Sequence, residues 1–179
     1  MSAEGIHHEI KKKDILSIIS GFKLPIFPEL GLRNKRIAIS NSRYKYPLSH
    51  DKISRSKLCG FACDLILSNK ELISPSKRIE ILSYNSDESR ISHSFVIIET
   101  EDGEIIVVDP TWKQFTLEGQ LSEDNILFYI APKGNKFKVL TELIERFQAL
   151  PLLQSENISI WVVPIYRYLE SINYFDTDQ

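Results

Sequence analysis

Two cysteines and one methionine in 179 residues leave little room for soft-metal or disulfide chemistry. Cys59 and Cys63 stand four residues apart in KLCGFACDLIL, on one face of a predicted helix, which is poor geometry for a mutual disulfide. With His93 they would make three soft ligands at irregular spacing, and neither a CxxC nor an HExxH pattern occurs, so no metal site and no cofactor is expected. Charge of one sign is also lacking. Lys and Arg total 22 against 24 Asp and Glu, and the pI is near 6.1, so no field points to nucleic acid or an anionic membrane. No run approaches the ~20 apolar residues of a membrane span. The opening MSAEGIHHEIKKKD has no short apolar core of the secretory kind. Synthesis in a reducing, cytoplasmic compartment without a cleaved signal is expected, with export by a signal-independent route left open.

Apolar residues make up 42% of the chain, enough for the core of a single domain spanning 1–179. Its first part, 1–55, reads as irregular with one short helix over 6–19. Pro25, Pro28, Gly31 and Pro47 punctuate the stretch after that helix, and a short strand is expected at Arg36–Ile39. Ser56 is the expected N-cap of a helix to about Ser68, whose Leu58, Phe61, Ala62 and Leu65 would face a sheet. Strands are expected at Arg78–Tyr84, Ser92–Thr100, Glu104–Asp109 and Ile126–Ile130, with a polar loop at Asn85–Arg90 and a turn at Pro132–Asn135. Phe137–Leu150 reads as an amphipathic helix, and the β-branched run Asn157–Tyr168 as a closing strand, at an edge or bulge because of Pro164. The fold class is α+β, helices on a mainly antiparallel sheet.

The chemistry lies in three residues. Cys59 falls in the first turn of its helix, where free backbone N–H groups and the helix dipole favour a thiolate. His93 and Asp109 sit at the open end of a predicted hairpin. If Glu101-Asp102-Gly103 is a three-residue loop with Gly103 left-handed, paired residue numbers sum to 204. His93 and Asp109 are then diagonal neighbours on one face, within ~7–8 Å at Cβ. A two-residue Asp-Gly loop would sum to 205 and put them on opposite faces. A thiol, an imidazole to take its proton and a carboxylate to orient the imidazole are the parts of nucleophilic acyl chemistry. Cys63 reads as a small buried side chain.

KLCGFACDLIL, ISHSFVII and IIVVDPTWKQF resemble the transglutaminase-like branch of the papain-like fold, over about residues 56–115. The resemblance implies a central helix carrying the nucleophile Cys59, with His93 as general base and Asp109 as orienting acid. It implies attack on a protein or peptide amide, no metal, and a thioester intermediate. Small stand-alone members resemble bacterial effectors that deamidate a glutamine, or processing peptidases. Glutaminyl deamidation is the expected reaction, with peptide cleavage, transglutaminase-type acyl transfer and a non-catalytic interaction domain as alternatives. The chain departs from the pattern in having no Gln before Gln114 and no Trp before Trp112. The second oxyanion donor therefore has to come from elsewhere. Asn41, Ser42, Tyr44, Trp112 and Gln114 are the candidates for oxyanion or substrate binding. Oligomeric state is not legible.

Overall fold

The connection Glu101-Asp102-Gly103 sets the register of the sheet. In the computed structural model, which describes residues 13–25, 45–73, 76–117 and 124–176, Gly103 has φ 77°. Its N–H donates to the Thr100 carbonyl at 3.0 Å, and the Thr100 N–H to the Glu104 carbonyl at 3.0 Å. Strands β4 (Ile91–Thr100) and β5 (Ile105–Asp109) then pair with Val96 opposite Val108 and Ile97 opposite Val107. These numbers sum to 204, the bulged register on which the triad depends.

With β3 (Ser76–Ser86) and β6 (Leu127–Ile130) the sheet is antiparallel, in the order β3-β4-β5-β6. The predicted loop at 85–90 shrinks, because β3 and β4 keep pairing out to Ser86 opposite Ile91. Both faces are covered, as the apolar alternation requires. Val96, Ile98, Ile106 and Val108 meet helix α1 (residues 13–21) and helix α3 (Cys59–Ser68). Phe95, Ile97, Ile105 and Val107 meet α4 (Lys136–Gln148) and α5 (Ser159–Ser171). Asn135 caps α4, its Oδ1 accepting from the Lys138 N–H at 2.9 Å. The architecture is α+β: an antiparallel sheet between two helical layers. Among the described residues no helix is long and apolar enough to cross a membrane.

Several expectations change. The expected strand Asn157–Tyr168 is mostly helix, entered through a 3-10 turn over Ser155–Ile158. Ile160, Trp161, Ile165, Tyr168 and Leu169 are buried and recur at helical spacing, packing against β3 and α4. Burial of that stripe outweighs β-branched propensity, and α5 carries Pro164 in its interior. Ser56 does not cap α3. Its hydroxyl donates back to the Ile53 carbonyl at 2.7 Å, closing the short helix α2 (Asp51–Ser54), and Leu58 is the N-cap. The inner face of α3 is Leu58, Ala62, Cys63 and Ile66, with Phe61 and Leu65 only half-buried.

The described residues of the N-terminal part include regular structure beyond the helix. Lys23–Pro25 (β1) and Lys45–Pro47 (β2) form a two-stranded antiparallel ladder ahead of α2. Of the helix expected over 6–19, residues 13–19 are helical and continue to 21, while 6–12 lie outside the described residues. So does the expected strand at 36–39.

Candidate active site

The β4–β5 ladder ends at Val96 opposite Val108, because Asp109 is followed by Pro110. Proline has no N–H and cannot continue the pairing. Residues Ile91–Phe95 of β4 therefore pair only with β3. Cys59, the first residue of α3, comes beside His93 there. Its thiol is close enough to the His93 ring and the Ser94 backbone for both to lower its pKa. This is how a helix packed on one sheet face meets an imidazole whose neighbours lie on the other: they join where β5 has stopped.

His93 and Asp109 are wholly buried, and His93 Nε2 is 2.6 Å from Asp109 Oδ2. The carboxylate is surrounded by donors. Trp161 Nε1–H donates to Oδ2 at 2.8 Å, and the Thr111 N–H and hydroxyl to Oδ1 at 2.9 and 3.2 Å. Such a set complements an acceptor-only group with no solvent contact. Phe115 meets the His93 ring edge-on at 4.8 Å, and Trp161 does so at 6.1 Å while stacking on Phe147. The imidazole is thus fixed in orientation by a carboxylate on one edge and aromatic walls around it.

The electrostatics follow from this packing. Burial raises the Cys59 pKa, but the hydrogen bond and charge of His93, with the Ser94 N–H, outweigh it, and the net movement is downward from 9.0. Burial pulls His93 down from 6.5, but the charge and hydrogen bond of Asp109, helped by Cys59, carry it up to about 9. The two shifts favour a thiolate–imidazolium pair. Cys63 is the opposite case. Fully buried, with Asp109, Cys59 and Asp64 adding negative charge, it is held well above 9.0 and is inert.

The structure thus brings Cys59, His93 and Asp109 together. Of the other sequence candidates, Gln114 joins them, its Nε2 lying 3.2 Å from His93 Nδ1. Trp112 is buried in the core and lines a separate cavity of about 400 Å³ with Asp124, Phe128 and Arg146. Asn41, Ser42 and Tyr44 fall outside the described residues. Three contributors carried no catalytic role in the sequence. Thr111 was legible in principle, since Asp-Pro-Thr invites a carboxylate to bond the N–H two residues on. Phe115 follows from the short 3-10 turn Trp112–Phe115. Trp161 had no local signal, because its place depends on α5 being a helix. Among the described residues no group of three or more His, Cys, Asp or Glu could hold a metal ion. No protein family, curated protein or solved structure matches the chain.

Proposed function

We propose that the protein is a thiol-dependent amidohydrolase that acts on a protein or peptide amide through a thioester. We place its core with the transglutaminase-like branch of the papain-like fold. The observation that carries the reading is the buried His93–Asp109 pair set beside a thiol at a helix N-terminus whose pKa is drawn down. In the reaction Cys59 gives its proton to His93 Nδ1 and the sulfur bonds to the carbonyl carbon, whose π pair moves to oxygen. Collapse restores the C=O, breaks the C–N bond and returns the proton to the leaving amine. Water then repeats the sequence on the thioester and releases acid and free thiol.

Glutaminyl deamidation is placed ahead of peptide cleavage. Cys59 is only partly exposed and its base is fully buried, so the sulfur is recessed. A protruding side-chain carboxamide reaches such a sulfur more readily than a polypeptide main chain does. Mass spectrometry of a glutamine-rich protein after incubation tests the reading. Amide-to-acid conversion that requires Cys59 supports it, while new termini would mark a peptidase and cross-links an acyl transferase. No Cys59-dependent product together with an unreactive Cys59 thiol would make the fold a non-catalytic interaction domain.

A further inference from the structure

Gln114 stands where a donor has to change partners during the reaction. Its Nε2 lies 3.0 Å from the Thr111 carbonyl and 3.4 Å from Thr111 Oγ1. A carbonyl only accepts, so the amide nitrogen, and not its oxygen, faces that side. The same nitrogen is 3.2 Å from His93 Nδ1. One N–H therefore serves Thr111 and the other His93. Since His93 Nε2 is engaged by Asp109, Nδ1 is also the nitrogen left for Cys59. While the pair is neutral, two donors, the thiol and the amide, compete for a single lone pair.

That competition ends when the thiol proton reaches Nδ1. A protonated Nδ1 accepts nothing, and the Gln114 N–H then faces another N–H. It needs a new acceptor, and attack of the thiolate on a bound amide creates one beside the sulfur, the oxygen of the tetrahedral adduct. The geometry points to Gln114 as a catalytic residue, the second oxyanion donor, whose Nε2–H, displaced from His93 Nδ1 once Cys59 has given up its proton, is taken up by the substrate oxygen. The first donor is the Cys59 N–H, free of intrahelical partners at the start of α3. When the adduct collapses, the oxygen becomes a carbonyl again, the leaving amine takes the Nδ1 proton, and Gln114 returns to its first partner. This inference rests on the acyl-transfer reading and supplies the donor absent upstream of Cys59.

The test compares two reactions of one sulfur. Alkylation by iodoacetamide proceeds by displacement and forms no oxyanion, whereas acylation by p-nitrophenyl acetate forms one. In Gln114→Ala and in the closer-shaped Gln114→Met, Cys59-dependent p-nitrophenolate release should fall on the order of 10²-fold, the usual loss for one oxyanion donor. Alkylation should hold or quicken, because the thiol no longer shares Nδ1. Equal losses in both reactions would make Gln114 a structural prop and overturn the assignment, as would an unchanged acylation rate. Wild-type protein that alkylates rapidly at Cys59 yet gives no Cys59-dependent p-nitrophenolate would instead overturn the acyl-transfer reading, and this role with it.

Discussion

Replacing Asp109 with Asn tests the electrostatic core of the site with almost no change in shape. The Asp109 charge and hydrogen bond, helped by Cys59, carry His93 to about 9 against the downward pull of burial. Without the charge, burial draws the imidazole back down toward its ordinary value. The gap from 6.5 to about 9 is worth roughly 3 kcal/mol at 1.36 kcal/mol per pH unit. His93 is fully buried, so solvent screening does not discount the figure. That energy sets the balance between the thiolate–imidazolium pair and the neutral pair. The thiolate population at neutral pH should therefore fall on the order of 10²-fold. Cys59 loses the imidazolium that lowers its pKa and keeps the burial that raises it. Its alkylation by iodoacetamide should then rise only through the ordinary thiol range. The amide also puts an N–H among four donors, Thr111 N and Oγ1, Trp161 Nε1 and His93 Nε2. Each oxygen serves two of these donors, so the amide nitrogen faces two, at a cost of about 1–3 kcal/mol for each left without an acceptor, and rates are compared well below the variant's own melting temperature. An Asp109→Asn protein that is folded and alkylates at neutral pH within about threefold of wild type would refute the reasoning.

Trp161→Phe keeps a ring on Phe147 but deletes one donor to Asp109. The carboxylate then holds the His93 proton more tightly, so an imidazole NMR titration should move above about 9, with about 1–3 kcal/mol lost in stability; a titration that moves down would contradict this role. In Cys59→Ala, Asp109 still holds the His93 pKa above its unfolded 6.5, so that contribution is complete below 6.5 and is lost as pH rises toward the folded value. Urea denaturation of the variant should show stability falling by up to about 1.4 kcal/mol per pH unit over that window. Wild type should be nearly flat there, because the proton gained by His93 is offset by the one Cys59 releases; equal slopes would mean no thiolate–imidazolium pair. Cys63→Ala should leave alkylation at Cys59 intact while costing about 1 kcal/mol in a thermal melt, since Cys63 is fully buried with a raised pKa. Loss of the reactive thiol on that change would reassign the nucleophile.

Features that depend on neighbouring residues were already settled in the amino-acid order. The Glu-Asp-Gly turn, with a glycine able to take φ 77°, fixed the β4–β5 register, and through period-two alternation it put His93 and Asp109 on one face. Apolar residues on both sides of β4 and β5 required a sheet covered twice. Pro110 ended the ladder and so foretold the open end at which the triad assembles. Cys59 at a helix start was also visible, although the cap was misplaced from Leu58 to Ser56.

Long-range packing had to supply the rest. The run Asn157–Tyr168 has the composition of a strand, and the buried stripe of Ile160, Trp161, Ile165 and Leu169 against β3 and α4 makes most of it a helix. Trp161 reaches Asp109 across 52 positions of sequence, a contact with no local precursor. Gln114 was one candidate among five until the Trp112–Phe115 turn set its amide between Thr111 and His93. Register and turn type are set by the conformational limits of a few adjacent residues, which the amino-acid order states directly. Which donor meets which acceptor depends on how separate elements bury their apolar faces against one another, and that is settled only when the whole core closes.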